Sequence, residues 1–522
     1  MKIYKGNIVT CDAGNNVSRY LVEDKGRIAF VGDILPEQYR SCPVYDLGEK
    51  ALLPCFADTH LHFSSYAVFS TTIDVRDSDS NEESCQMISD YAKKHNDKLI
   101  IGYGASANSV KERRLLNRED LDKVCPDRPI MIVKYDGHAC IINSKLISAL
   151  PDEIKKLRGF GADTGEMNQE AFFAVTNNVT GKIPATKIVG SMLSAIDNLA
   201  DKGIGMMHTV EGVGFPGDMD VDMVRFFARG QRNAFSTRIF FQTMDVSKVL
   251  KRKLPRIGGC FATALDGCFG SEDAALLEPY TNNPANKGVL YYSDKKVRDF
   301  AIAANRAGLQ IEMHAIGDAA FVQALDAIEA ALKDYPRSDH RHTIIHACLP
   351  TREGLERMAR LGIGIAVQPA FLGWKPEPLE YIERIMGKRA YEISPLRDML
   401  DMGIHMSGGS DAPCTLPDPF DGMYNACNHY VSGQSLTIPE ALRMFTYEAA
   451  RMSFDEKDRG SLETGKVADM TILNKNPLSL KPTELRSLRS ERLILSGCDY
   501  VRGQNLAGLI ANGIIGANKN RR

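Results

Sequence analysis

Two histidines one residue apart close an apolar run near the start of the chain, in Ala57-Asp58-Thr59-His60-Leu61-His62. On an extended strand, residues i and i+2 point to the same face, so both imidazoles can reach a single ion. Three later strand-like segments end in further ligand types. They are Ile311-Glu312-Met313-His314, Thr343-Ile344-Ile345-His346, and Ser407-Gly408-Gly409-Ser410-Asp411. Imidazole nitrogen and carboxylate oxygen suit zinc or a similar divalent ion. A lone H-x-H on a surface strand would mean little. Four strand ends with matching chemistry require a fold that gathers strand ends at one edge.

The middle of the chain meets that requirement. Apolar runs recur at Ile204–His208, Thr237–Gln242, Gly258–Ala262, Leu309–His314, His342–His346, Ile363–Gln368 and Ile404–Ser407. Between them lie stretches with helical apolar spacing, such as Val297–Ala307 and Ala320–Leu332. Strand–helix alternation predicts parallel βαβ units. Ligands at the C-terminal ends of such strands predict a (β/α)8 barrel of the TIM type, whose sites sit at that face. A doubly wound open sheet is the alternative, and it explains four converging strand ends less well. Residues 64–199 are too long for one βα loop and carry apolar runs at Leu99–Tyr103 and Ile130–Tyr135, so an inserted subdomain is expected there. Residues 1–51 and 455–522 are rich in short strands and turns, which predicts one small composite β-sandwich built from both termini around a barrel spanning 52–454.

Composition excludes several partners. The net charge of −2 over 522 residues gives no electrostatic case for nucleic acid or an anionic membrane. No apolar run is long enough to span a bilayer, and the N-terminus lacks a signal peptide's apolar core. The 12 cysteines are scattered singly, which predicts reduced thiols and a cytoplasmic location. A small-molecule substrate and a possible homodimer complete the expectation for partners.

At this point the chain resembles the amidohydrolase superfamily, in the branch containing N-substituted formamide deformylase. The resemblance rests on Gly26-Arg27-Ile28 and Val31-Gly32, on Leu53-Pro54-Cys55-Phe56 running into the H-x-H segment, and on Asp136-Gly137-His138. It continues through Asp266-Gly267, His314-Ala315-Ile316-Gly317-Asp318, Gly409-Ser410-Asp411-Ala412-Pro413 and Gly465-Lys466-Val467-Ala468-Asp469. It implies that His60 and His62 are first-strand metal ligands, with His314 and His346 on the fifth and sixth strands. Asp411 is implied to be both a metal contact and the base on the eighth. His346 is implied to stay near the reacting carbon, and His138 to contact substrate. The implied reaction is hydrolysis of a non-peptide C–N bond, of amide or N-substituted formamide type. A deaminase of a cyclic amidine or heterocycle is the alternative. A non-catalytic scaffold is disfavoured by retention of the ligand set.

Two positions depart from the family pattern. Cys55 stands where glycine is usual. Ala262 stands four residues before Asp266, where this branch often has a lysine whose carbamate bridges two ions. Alanine cannot bridge, so one ion per chain, zinc by its donors, is favoured over two. Cys260 is read first as a buried small hydrophobe, with thiolate ligation as the alternative. Asp58 and Asp318 are candidates for orienting the imidazoles. Trp374 is a candidate for packing on substrate, and His208 carries no secure role.

Overall fold

The computed structural model describes residues 1–519. Its centre is an eight-stranded parallel sheet. The strands are β1 (Phe56–Leu61), β2 (Ile204–Glu211), β3 (Ser236–Phe241), β4 (Arg256–Ala264), β5 (Gln310–Ala315), β6 (Thr343–His346), β7 (Gly364–Val367) and β8 (Met406–Gly408). They lie side by side in chain order. Just beyond β8, Leu61 pairs in parallel with Ala412, which joins the last strand to the first. The sheet is therefore a (β/α)8 barrel, and each of the seven apolar runs expected after the insert is one of its strands.

Side-chain alternation fills the barrel from both sides. Along β5, Ile311 and Met313 join the main apolar core, whereas Gln310, Glu312 and His314 are the buried polar residues between them. Ala-rich helices close the outside. Asp294–Arg306 buries Val297, Phe300, Ala301 and Ala304 along one stripe, and the Ser293 side chain caps its first turn by accepting from the Lys296 N–H. Asp318–Asp334 follows β5 and buries Phe321, Leu325 and Ile328. Each such side chain contributes about 1.5–3 kcal/mol by leaving water.

The two termini share one sheet. Its seven strands run in the order 498–499, 490–495, 470–473, 44–54, 2–9, 17–24 and 27–32. The sheet curls so that Ile28 N–H donates to Lys466 O at 2.8 Å, and Gly465 N–H donates to Ile28 O at 2.8 Å. The layers of the expected sandwich are thus two ends of one curled sheet, packed around Tyr4, Leu21, Ile28, Met470 and Ile494. The chain after residue 499 leaves this sheet. Helix Leu506–Ile515 packs on the barrel helix Met219–Gly230, with Leu509 buried in the main core.

The segment between β1 and β2 folds as expected of an insert. It holds a five-stranded sheet in the order 166–168, 139–142, 130–134, 100–105 and 73–74, with apolar clusters of its own. Its last helix, Ala185–Asp201, belongs to the barrel's outer layer: Ile188, Met192, Ile196 and Leu199 are part of the main core.

Glu312 stands out inside the barrel. It is fully buried, and neither carboxyl oxygen has a hydrogen-bond partner. Burial pushes its carboxyl up to about 8, against the opposing charge of Arg256. A carboxyl raised on folding stabilises the native state below its unfolded value, and that contribution is lost as pH climbs through the folded one. Glu312→Gln should therefore melt increasingly above the parent protein from about pH 5 to about pH 8, with a constant gap beyond. Calorimetry across that range checks this, and a pH-independent gap would reject the assignment of the shift to Glu312.

Candidate active site

Backbone pairing across the barrel seam builds the first half of the site. Asp411 N–H donates to His60 O at 2.7 Å, and His62 N–H donates to Ala412 O at 2.8 Å. Asp58 Oδ1 accepts from His60 N–H at 3.2 Å and from Ser410 N–H at 3.0 Å. The pairing fixes Asp411 beside both histidines. Its Oδ1 lies 3.2 Å from His60 Nε2 and 3.3 Å from His62 Nε2. The Asp411 backbone, at φ 56°, lies in the left-handed region, as does that of His346 at φ 69°. Such conformations cost on the order of 1–3 kcal/mol each and persist where the surroundings impose them.

The second half comes from β4, β5 and β6. His346 Nδ1 lies 2.6 Å from Gln368 Oε1, so Nδ1 carries the proton and Nε2 is left as the base. The His314 ring stands edge-on to that of His346, with centroids 4.7 Å apart. Asp266 Oδ1 is 3.3 Å from His314 Nδ1. That contact lacks hydrogen-bond geometry, because the Asp266 carboxyl accepts from the N–H groups of Ala275, Ile316 and Gly317. Asp318, expected near the ligands, instead accepts from Leu277 N–H and Ala319 N–H at the mouth of the following helix. The carboxylate beside the His314 ring is thus that of Asp266 and not that of Asp318, and it makes no hydrogen bond to the ring.

Cys260 lies between the two halves. Its Sγ is 3.0 Å from His60 Nε2 and 3.6 Å from His346 Nε2. The reading of this thiol as a plain buried hydrophobe therefore misses its neighbours, which are ligand types. Local strand geometry explains why. Gly259 pairs with Met313, but the next pair is Ala264 with His314, so residues 260–263 bulge out of the ladder. Gly258 has φ +107°, and a Cβ there would meet Glu312 O at 1.8 Å, so glycine is required where the bulge starts. Thr263 Oγ1 ties the bulge by donating to Gly259 O at 2.7 Å.

The electrostatics suit a cation. One donor atom each from His60, His62, Cys260 and Asp411 lies within 4.8 Å of the others, and all four residues are buried. Asp411 Oδ1 and His60 Nδ1 have no hydrogen-bond partner. Burial keeps these imidazoles neutral, with a lone pair free to ligate: His314 is pushed down to about 3, and His60 and His346 are also lowered. Burial alone would raise the Asp411 carboxyl, but the His60 and His62 imidazoles against it reverse this and hold it well below the usual range. Neutral imidazoles, an ionised carboxylate and an orphaned buried oxygen fit a divalent ion.

A cavity of about 1370 Å³, counted to its open mouth, stands over these groups. Its lower wall includes His62, Cys260, His314, His346 and Asp411, and the insert supplies Tyr103, Asp136, His138 and Phe173. His138 packs edge-on to Phe261, with centroids 5.3 Å apart. Trp374 also lines the cavity, stacked on Phe371 at 4.7 Å and edge-on to Tyr135 at 4.9 Å. Tyr135 donates in turn to Glu377, whose carboxyl burial raises to about 7. Gln368 and Glu377 gave no sequence signal. His208 is buried in β2 with both ring nitrogens unpartnered, and lines no part of the cavity.

Comparison with known proteins agrees with this geometry. The YtcJ protein of Bacillus subtilis (strain 168) is 27% identical over 521 residues, covering 93% of this chain and 96% of that protein. N-substituted formamide deformylase of Arthrobacter pascens is 25% identical, covering 95% of this chain and 97% of that one. The crystal structure of a metal-dependent hydrolase from Pyrococcus furiosus superposes with a TM-score of 0.74 at 26% identity, covering 92% of this chain and all of that one. The amidohydrolase family matches residues 43–498. The chain belongs to the amidohydrolase family and is a metal-dependent hydrolase of C–N bonds other than peptide bonds.

Proposed function

We propose that the protein hydrolyses an amide or N-substituted formamide carrying an apolar substituent, with zinc as its metal. The observation that carries the reading is the convergence of His60 Nε2 and His62 Nε2 within 3.3 Å of Asp411 Oδ1, with His62 and Asp411 lining an aromatic-walled cavity. His60, His62 and Asp411 hold the ion, and His314 and His346 present further nitrogen donors beside them. Nitrogen and carboxylate donors favour zinc over calcium or magnesium. A bound divalent ion lowers the pKa of water from about 15.7 to about 7 and polarises the substrate carbonyl.

The side chains do the rest. Asp411, ionised and aimed at the metal-facing side of the cavity, takes one proton from the attacking water. It returns that proton to the nitrogen as the C–N bond breaks, so an amine leaves and a carboxylic acid remains. His346, with its proton held at Nδ1 by Gln368, faces the carbonyl side through Nε2. Phe173, Phe371 and Trp374 give the substituent an apolar wall. His138 orients the substrate from the insert, which serves as the roof. Twelve unpaired cysteines support a reducing, cytoplasmic setting.

The experiment is a screen of amides and N-substituted formamides with the zinc-loaded protein, following amine and acid release together. Release of ammonia from heterocycles alone would transfer the assignment to a deaminase. Once a substrate is found, Asp411→Asn should fold normally and lose about 10²–10⁴-fold in kcat, the usual worth of general acid–base assistance. A near-parental rate would remove Asp411 from the proton path. His138→Ala should raise KM while metal content by elemental analysis stays unchanged. Loss of metal in that variant would place His138 among the ligands instead.

A further inference from the structure

The geometry points to Cys260 as a thiolate that bridges two metal ions, occupying the role for which Ala262 lacks the chemistry. The inference rests on the metal-hydrolase reading above and replaces the single-ion expectation drawn from alanine at position 262. Three independent observations carry it. The first is position: Sγ stands 3.0 Å from His60 Nε2 on one side and 3.6 Å from His346 Nε2 on the other. It is thus the one cysteine sulfur that joins the donor cluster of His60, His62 and Asp411 among the described residues. The second is the backbone built to put it there. The ladder breaks between Gly259 and Ala264, and a Cβ on Gly259 would meet the Gln242 side chain at 2.6 Å. Gln242 Oε1 in turn accepts from Phe261 N–H at 2.9 Å, pinning the bulge one residue beyond the sulfur. The third is donor arithmetic. His60, His62 and Asp411 form one set, while His314 and His346 supply only two nitrogens on the other side.

Two imidazoles alone are a poor zinc site; two imidazoles and a thiolate are three protein ligands, the number that leaves a fourth position for water or substrate. A shared thiolate supplies that third ligand without removing a donor from the first set. The thiol proton passes to bulk water as the metal–sulfur bonds form, so loading also releases one proton. Residues 260–263 all leave the ladder, and within that bulge it is the side chain of Cys260 that reaches the imidazoles.

Three measurements on the intact chain test this. Protein stripped of metal and reloaded with Co²⁺ should show thiolate-to-cobalt charge-transfer absorption in the near ultraviolet, and should retain about two ions per chain by elemental analysis. Cys260→Ser should lose that absorption and fall to about one ion, while its far-ultraviolet circular dichroism is unchanged. X-ray absorption at the zinc edge of the parent protein needs no variant, and should show one sulfur neighbour per ion. Bound metal with only nitrogen and oxygen neighbours would overturn the proposal. So would a band that survives Cys260→Ser, or a sulfur signal with a single ion per chain. Failure of the parent protein to retain Co²⁺ or Zn²⁺ at all would instead overturn the metal-hydrolase reading on which this one stands.

Discussion

The site depends on closing a sheet whose first and last strands are separated by most of the chain. Asp58 performs the closure by accepting N–H groups from His60 and Ser410 through one oxygen. The Asp411 N–H on His60 O and the His62 N–H on Ala412 O complete it. These are backbone bonds, so they fix register, and register fixes which face each side chain takes. A one-residue slip at this seam would turn His60, His62 and Asp411 away from one another together. The distances among His60, His62 and Asp411 inherit their precision from that seam. Asp58 is itself pushed up to about 7 by burial, so the carboxyl that makes the seam is held there by its hydrogen bonds and not by a compensating charge.

Burial then does chemical work that no single residue could do. Removing imidazole from water disfavours its charged form, which leaves neutral rings with free lone pairs. The same burial would neutralise a carboxylate, yet Asp411 stays ionised because two imidazoles stand against it. One low-dielectric pocket thus yields unprotonated nitrogens and an anionic oxygen side by side. The bent backbone at His346 and Asp411 belongs to the same economy of construction: both residues turn sharply where a strand ends, so that their side chains look back over the barrel mouth.

How much of this was legible in the sequence follows from what each signal measured. Strand-end histidines and aspartate were readable because alternation and the βαβ rhythm fix both element type and end. Asp266 and Gln368 were not, since a residue that stands beside a ring from a neighbouring segment shows no spacing relative to it. The imidazole neighbours of Cys260 were not readable either, because residues 260–263 leave the ladder and strand alternation does not run through them. The role given to Asp318 failed similarly, because proximity in sequence to His314 carried it to the start of the next helix, beyond the ring. Insert and barrel were distinguishable from segment length and apolar runs, but the aromatic character of the cavity depends on Phe371 and Trp374 meeting Tyr135 from the insert, a contact no local pattern announces.

The insert packs around its own apolar clusters, Ile101, Met131 and Phe172 in one and Ile88, Ile100 and Ile132 in another. Its interior is therefore largely independent of the barrel it covers. Mutations in the roof can reshape the cavity's upper wall while the metal-facing floor keeps its register. The part of the cavity wall that the insert supplies and the floor beneath it are consequently borne by separate, separately tolerant parts of one chain.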